Sequence, residues 1–138
     1  GSYSPYDGAA YGYYTTVKGI FEKVKEHSGD PDFAVQPEVL SLLSSGDFGR
    51  YADTKGDMNV CFISNNDITG GNSGSAMFNG KGELLGLAFD GNWEAMRSDI
   101  VFEPDVQRCI GVDVRYMLFI IEKFGKASHL IQELKIEG

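Results

Sequence analysis

Basic residues are scarce in this sequence of 138 residues, which has 12 Lys and Arg against 20 Asp and Glu and a formal net charge of −8. Nucleic acids and anionic membrane surfaces are bound through clustered Lys and Arg. The composition therefore disfavours both nucleic acid and membrane as partners. The acidic residues are scattered along the chain, which is typical of a solvated surface.

Long apolar runs are also missing. The longest, MLFII at 117–121, falls far short of the roughly 20 residues of a membrane-spanning helix. There is no initiator Met and no signal peptide, but Gly1-Ser2 resembles a cloning scar, so this absence says nothing about the location of the parent protein. Hydrophobic residues still make up 42% of the chain. That is enough to bury a core, and we expect one domain over residues 1–138.

Cysteine and histidine are rare, with two of each. Cys61 and Cys109 do not have the spacing of metal ligands, and we expect neither a metal nor another cofactor. Both lie in apolar, strand-like runs, so we interpret them as free core thiols; their spacing leaves a disulfide open. We expect both His27, in a polar loop, and His129, in a terminal helix, to be solvated.

Strand-like patterns dominate the middle of the chain. MNVCFIS at 58–64 and VQRCIGVDV at 106–114 predict strands, and the apolar runs on either side of Asn79-Gly80 predict a hairpin. The β-branched and aromatic residues of 15–26 favour a further strand.

Helical signals are fewer. Pro37 opens a short amphipathic stretch that stops at Gly46, which predicts a short helix. From Arg115 onward the apolar spacing is helical, with a break expected at Gly125. This order of elements suits a mainly β domain, a small antiparallel barrel with an inserted short helix and a C-terminal helix.

The most informative loop is GGNSGS at 70–75, which places Ser73 between glycines. A nucleophilic serine needs small neighbours, because the backbone must turn tightly to project Oγ and its N–H groups must converge on an oxyanion. The N–H groups of Gly71 and Ser73 are spaced for that purpose. Gly/Ser turns are common, however, and such a loop also suits a catalytically silent peptide-binding module that cradles an anion.

The loop and its surroundings resemble chymotrypsin-like serine peptidases. G-N-S-G-S is shared by two of their branches, the glutamyl endopeptidases and the bacterial dipeptidyl-peptidases of the seven and eleven type. GLAFDGNWEAM at 86–96, FEPDVQR at 102–108 and HLIQELKI at 129–136 resemble the dipeptidyl-peptidases. That resemblance extends from about residue 3 to the end, and it leaves a glutamyl-type endopeptidase as the nearest enzyme alternative.

This resemblance implies a fold and a set of roles. The chain would be the C-terminal half of a chymotrypsin-like double β-barrel, with Ser73 as the nucleophile and the N–H groups of Gly71 and Ser73 as the oxyanion hole. Asp90 holds the position that binds the free α-amine of the substrate, where a carboxylate would face a cation. Gly91 would line the S1 pocket, and Trp93 is expected to pack under the loop.

Gly91 also bears on specificity. Relatives that cut after Asp or Glu carry an arginine at that position, so glycine implies release of dipeptides after hydrophobic P1 residues. We therefore expect a serine-type dipeptidyl-peptidase of the seven type, acting on the free N-terminus of oligopeptides.

The catalytic His and Asp are missing from the pattern, since neither His27 nor His129 matches a catalytic position of the family. The resemblance implies that both lie upstream, in a first barrel accompanied by a largely helical domain. We therefore expect this segment alone to be inactive. Its expected partners are the oligopeptide substrate and the remaining N-terminal part of the same enzyme, with a homodimer possible in the parent. The expected location is the periplasm, the cell surface or the secreted fraction.

Overall fold

The computed structural model describes residues 15–97 and 103–137. These residues form two compact units, which we call the sheet unit (61–114) and the helical unit (15–60 and 115–137). Residues 1–14, which include the scar-like Gly1-Ser2, lie outside the described residues. That residues 1–138 form one domain stays a prediction.

The sheet unit contains four antiparallel strands in the order β1-β4-β3-β2. They are β1 (Cys61–Ser64), β2 (Ala76–Phe78), β3 (Leu84–Gly91) and β4 (Cys109–Asp113). The hairpin predicted around Asn79-Gly80 is confirmed: its turn is closed by Asn79 N–H, which donates to Glu83 O at 3.0 Å. A 3-10 helix, Trp93–Arg97, follows β3 directly.

One face of this sheet carries the core of the unit. Because alternate residues of a strand point to opposite faces, the register brings together Met77, Ala88 and Cys109 as buried residues, with Phe62 and Ile68 packed against them. The core is small, since it contains only three buried apolar residues among those that the structure describes.

Two glycines make room for this core. A Cβ on Gly86 would lie 1.9 Å from Val112 O, and a Cβ on Gly111 would lie 2.8 Å from both Met77 Sδ and Phe62 Cζ. Glycine is required at both positions because neighbouring atoms occupy the space that a methyl group needs.

The other face exposes apolar side chains. Ile63 and Leu85 lie on the same side of the register as Val112 and are 45% and 41% exposed.

The described part of the helical unit contains four α-helices, one π-helical turn and two 3-10 helices. These are α1 (Val17–Glu26), α2 (Pro37–Ser44), α3 (Val114–Phe119), the π-helical turn Ile120–Phe124, α4 (Ser128–Gln132), and the 3-10 helices Pro31–Phe33 and Gly49–Tyr51. Six buried side chains form its core: Val17, Leu43, Phe48, Tyr51, Met58 and Phe119. The short helix predicted after Pro37 and the C-terminal helix with a break at Gly125 are both confirmed.

The strand expected over 15–26 is wrong, since this segment forms α1. Its apolar residues Val17, Ile20, Phe21 and Val24 recur at the three- and four-residue spacing of a helix face. Val17 is buried, and Ile20 and Phe21 pack against the core of the helical unit. The helical spacing of the apolar residues outweighed their individual β-propensity. Burying one apolar face of the helix stabilises it whatever the preferred secondary structure of each residue.

The expectation of a mainly β domain is also corrected. Helices account for more of the described residues than strands do, and the four strands form a sheet with β1 and β2 at its edges. The structure is therefore a small antiparallel sheet with helices, and the double barrel is not part of what it shows.

The two cysteines are free thiols, as predicted. Cys61 pairs with Val112 and Cys109 with Ser64, so the two lie at opposite ends of the β1–β4 pair and on opposite faces. Burial raises the pKa of each thiol; at Cys61 the nearby Asp113 carboxylate adds to the effect, whereas at Cys109 a hydrogen bond with Ser64 opposes it. Within 15–97 and 103–137, no helix has the length and apolar character needed to cross a membrane.

Candidate active site

Ser73 lies in the loop between β1 and β2, and its neighbour Asn72 holds this loop in shape. The Oδ1 atom of Asn72 accepts from the N–H of Thr69 at 2.9 Å, and the Asn72 N–H donates to Thr69 O at 3.1 Å. On the other side, Ser75 N–H donates to Asn72 O at 2.9 Å. Asparagine side chains close turns in this way because they imitate a backbone group.

Glycine is needed at two positions of this loop for conformational reasons. Gly71 has φ +98° and Gly74 has φ +88°, which are left-handed conformations that only glycine adopts readily. A Cβ at either position would meet nothing within 4 Å, so the requirement is for the backbone angle and not for space. The chain turns on both sides of Asn72-Ser73, and Ser73 is left exposed.

The loop is attached to β3 just after Ser73. Gly74 N–H donates to Ala88 O at 2.7 Å, and Ala88 N–H donates to Ser75 O at 2.9 Å. The hydroxyl of Ser73 lies 3.5 Å from the carbonyl oxygen of Phe89, to which it donates.

Phe89 sits where the pairing of β3 with β4 is irregular. Ala88 pairs with Gly111 while Asp90 pairs with Ile110, so Phe89 is the extra residue of a bulge. Bulges re-aim the residues beside them, and this one follows directly after the attachment of the serine loop. The structure thus places Ser73 beside the residue that precedes Asp90.

Three backbone N–H groups of the loop donate to no acceptor in the part of the chain that the structure describes. They are those of Gly70, Gly71 and Ser73, whereas Asn72, Gly74 and Ser75 donate theirs. Unused N–H groups on a turn can bind an anion without first breaking another bond. The geometry is therefore compatible with an oxyanion hole at the two predicted positions.

Asp90 and Gly91 close β3. The carboxylate of Asp90 is exposed, and its Oδ1 accepts the N–H of Gly91 at 2.8 Å. Gly91 has close neighbours: a Cβ placed there would lie 2.8 Å from Ala95 Cβ, 3.7 Å from the carbonyl oxygen of Arg108 and 3.8 Å from Ile68 Cγ2. The nearest neighbours of Gly91 are thus two methyl groups and one uncharged backbone acceptor.

Asn92 and Arg108 form a polar network that sequence reasoning missed. Asn92 Oδ1 accepts from the N–H groups of Arg108, at 2.9 Å, and Ala95, at 3.2 Å. Arg108 is only 5% exposed. The available signal was an arginine inside an otherwise apolar run, because a buried guanidinium must find hydrogen-bond acceptors.

The expectation for Trp93 is wrong. Its side chain is 74% exposed, and it does not pack under the serine loop. Trp93 is the first residue of the 3-10 helix, and the residue of that helix that approaches Gly91 is Ala95. Ala95 therefore lies on the side of the 3-10 helix that faces Gly91, and the indole of Trp93 remains exposed to solvent.

A general base is not supplied by the sheet unit, since 61–114 contains no histidine. The ring of His27 stacks on Phe33 with centroids 4.0 Å apart, while its side chain is still 33% exposed, so His27 is only partly solvated. It lies at the end of α1 against the short 3-10 helix Pro31–Phe33, which provides the aromatic partner. His129 is exposed as expected. No cluster of three or more potential metal ligands occurs among the described residues.

The family of the chain follows from comparison with known proteins. The Peptidase S46 family matches residues 1–136. The chain therefore belongs to the peptidase S46 family, and the predicted resemblance to dipeptidyl-peptidases of the seven and eleven type is confirmed.

Individual relatives agree with this assignment. The chain is 63% identical to dipeptidyl-peptidase 7 of Porphyromonas endodontalis over 97% of its own length and 16% of that protein. It is 46% identical to the Asp/Glu-specific dipeptidyl-peptidase of Porphyromonas gingivalis over 97% of its length and 18% of that protein. The crystal structure of P. endodontalis DPP11 with the dipeptide Arg-Asp superposes with a TM-score of 0.87 at 41% identity, over 98% of this chain and 19% of that one. The chain thus spans less than a fifth of these relatives.

Proposed function

We propose that the protein containing this chain is a serine-type dipeptidyl-peptidase that releases dipeptides from the free N-terminus of oligopeptides. The observation that carries the proposal is the loop at Ser73. It holds an exposed hydroxyl between two glycines at positive φ, and the N–H groups of Gly71 and Ser73 are among those that donate to no acceptor in the described residues. Membership of the peptidase S46 family supports it.

Ser73 acts as the nucleophile in this proposal. Its Oγ attacks the scissile carbonyl, and the negative charge that develops on the carbonyl oxygen is stabilised by the N–H groups of Gly71 and Ser73. Each such donor contributes about 10²–10³ to kcat in comparable sites. The hydroxyl donates only a long bond, 3.5 Å, to Phe89 O, so little is lost when it turns towards a base.

The base itself comes from elsewhere in the protein. A His oriented by an Asp, on a first barrel, would take the proton of Ser73 and return it to the leaving amine. The sheet unit would then be part of the second barrel of a chymotrypsin-like double β-barrel. The isolated chain is inactive in this proposal because it carries the nucleophile without the base.

Asp90 provides the selection for a free N-terminus. Its exposed carboxylate follows the bulge that faces the serine loop, so a substrate ammonium group could form a charge-assisted hydrogen bond there. An N-acetylated peptide carries no cation and leaves the carboxylate without this partner. Asp90 thereby makes the enzyme an exopeptidase.

Gly91 sets the preference for hydrophobic P1 residues. Its nearest neighbours are the methyl groups of Ala95 and Ile68 and the carbonyl oxygen of Arg108, and no cation is provided by Gly91 itself. An acidic P1 side chain would lose water there without gaining a partner, which is unfavourable.

The enzyme is proposed to act in the periplasm or at the cell surface.

The test uses the full-length protein with the substitution Ser73→Ala. We expect hydrolysis of a fluorogenic dipeptide with a hydrophobic P1 residue to fall by about 10³-fold or more. Ser41→Ala, an exposed serine of α2, is the matched control and should keep wild-type activity. Full activity of Ser73→Ala would overturn the proposal.

The same assay separates the other possibilities through the N-terminus of the substrate. Cleavage of the free dipeptide alone supports the exopeptidase and the role of Asp90. Equal cleavage of the N-acetylated form would indicate an endopeptidase, and an acidic P1 preference would contradict the role of Gly91. Binding of peptides without any hydrolysis would indicate a peptide-binding module.

A further inference from the structure

The 3-10 helix Trp93–Arg97 packs against Gly91 so closely that position 91 has no space for a side chain. The 2.8 Å between Ala95 Cβ and a Cβ placed on Gly91 is well inside the normal contact distance of two carbon atoms, about 3.5–4.0 Å. Any residue other than glycine at position 91 must therefore displace Ala95. Conversely, Ala95 forms part of the wall next to Gly91.

Ala95 cannot move away freely, because Asn92 fixes the start of its helix. Ala95 N–H donates both to Asn92 O, at 2.9 Å, and to Asn92 Oδ1, at 3.2 Å. Asn92 is itself held by the segment before β4: its N–H donates to Arg108 O at 2.9 Å, and its Nδ2 donates to Val106 O at 2.8 Å.

The segment that holds Asn92 is stabilised from within by Arg108. The guanidinium of Arg108 donates to three carbonyl oxygens, those of Pro104 at 2.8 Å, Gln107 at 2.6 Å and Asp105 at 3.2 Å. Gln107 is 2% exposed, and its Nε2 donates to Glu94 O at 3.1 Å, which joins the segment to the 3-10 helix a second time. The helix is thus held by several partly buried hydrogen bonds, which are costly to break together.

We propose that Ala95 is a specificity-determining residue, which the hydrogen bonds of Asn92 hold against Gly91 so that the two residues jointly set the width of the pocket for the P1 side chain. This inference rests on the proposed function, in which Gly91 lines that pocket. It goes further in stating that position 91 does not act alone. The residue at 91 and the residue at 95 compete for the same space, so a side chain at one requires a smaller residue at the other.

The test is a double-mutant cycle in the full-length protein, with Gly91→Ala, Ala95→Gly and the double variant. We expect Gly91→Ala to lower kcat/KM about tenfold for a bulky hydrophobic P1 residue, mainly through KM, and less for a P1 alanine. Ala95→Gly in the same protein should relieve the overlap and bring the double variant to within about threefold of Ala95→Gly alone. The ratio of the two substrates is the decisive readout, because a merely structural overlap would lower both equally.

Gly80→Ala and Ala76→Gly are the matched controls. A Cβ on Gly80 meets nothing within 4 Å, and Ala76 is exposed on β2, so neither change should alter the ratio of the substrates. A double variant as impaired as Gly91→Ala, or an unchanged ratio in all variants, would overturn the inference.

The melting temperature of each variant separates this inference from the proposed function. Gly91→Ala should melt at a lower temperature and the double variant should recover, whatever reaction the protein catalyses. If wild-type activity does not depend on Ser73, the proposed function fails. The melting temperatures of the double-mutant cycle then still test whether side chains at positions 91 and 95 compete for the same space. If the temperatures show no coupling while Ser73 proves essential, only the inference fails.

Discussion

The helical unit and the sheet unit achieve order by different means. In the helical unit, the large side chains at the centre of the core are almost fully enclosed: Phe119 and Met58 are 0% exposed and Leu43 is 1% exposed. In the sheet unit the core is small, and large apolar side chains such as Phe78 and Trp93 are 60% and 74% exposed. Hydrophobic packing stabilises the helical unit, whereas the sheet unit depends more on the hydrogen bonds and turn conformations of its backbone.

This difference explains why the candidate site lies in the sheet unit. A site for chemistry needs exposed polar groups on a fixed backbone, and here the serine loop is fixed by Asn72, by two glycines at positive φ and by hydrogen bonds to Ala88. Enclosed aromatic packing of the kind found around Phe119 would leave no such groups accessible. The comparison makes separate predictions for the two units.

The largest effect on stability is expected at the centre of the helical unit. Phe119 contacts the rings of Phe48 and Tyr51 edge-on, with centroids 5.7 Å and 6.1 Å away. Phe119→Ala removes these contacts and leaves a cavity, which should lower the free energy of unfolding by about 3–5 kcal/mol. Urea denaturation measures the loss, and amide hydrogen exchange should locate it in the helical unit.

Phe124→Ala is the control, because that side chain is 42% exposed and should contribute about 1 kcal/mol or less. If the two substitutions cost the same, the helical unit does not depend on an enclosed core and the comparison fails.

An intermediate effect is expected where the sheet unit depends on glycine. Gly111→Ala places a methyl group 2.8 Å from Met77 Sδ and Phe62 Cζ. Overpacking of this kind should cost about 1–3 kcal/mol, with loss of exchange protection in β1, β3 and β4. Gly80→Ala, which meets no neighbouring atom within 4 Å, should be nearly neutral. If Gly111→Ala leaves the free energy of unfolding unchanged, the sheet unit has room for a side chain at position 111 and the prediction is wrong.

The smallest effect at neutral pH is expected from the hydroxyl of Tyr51. It donates to Glu122 Oε2 at 2.9 Å, and Tyr51→Phe should cost about 1 kcal/mol. Burial, reinforced by that hydrogen bond and by the negative charge of Glu122, raises the pKa of Tyr51 to about 12.

The raised pKa gives this prediction a pH dependence. Because the folded state holds the phenolic proton more tightly than the unfolded state, whose pKa is about 10, the stabilisation is complete below pH 10. It is lost as the pH rises from about 10 to 12, by about 2–3 kcal/mol. Chemical denaturation across this range should show a steeper loss for the wild type than for Tyr51→Phe. Parallel curves would mean that Tyr51 ionises as readily in the folded state as in the unfolded one.

Local signals were sufficient for much of the fold. The turn residues at Asn79-Gly80, the proline at the start of α2 and the glycine at the break after the π-helical turn each act through their own backbone preferences. These preferences are properties of short segments, so they were visible without the structure. The helix α1 was missed because residue propensity was weighed above the period of the apolar residues.

The site divides in the same way. The glycines and the serine of 70–75 specify a turn that exposes a hydroxyl, because few other residues can adopt the required angles. The exposure of Trp93, the enclosure of Arg108 and the hydrogen bonds of Asn92 depend on segments distant in sequence.

The sequence by itself therefore determined the family, the hairpin and the serine loop, since each depends on residues close together in the chain. Only the tertiary structure decided that Ala95 lies against Gly91. That contact depends on the register of β3 with β4 and on a buried arginine sixteen positions after Asn92, which pairwise spacing along the chain does not reveal.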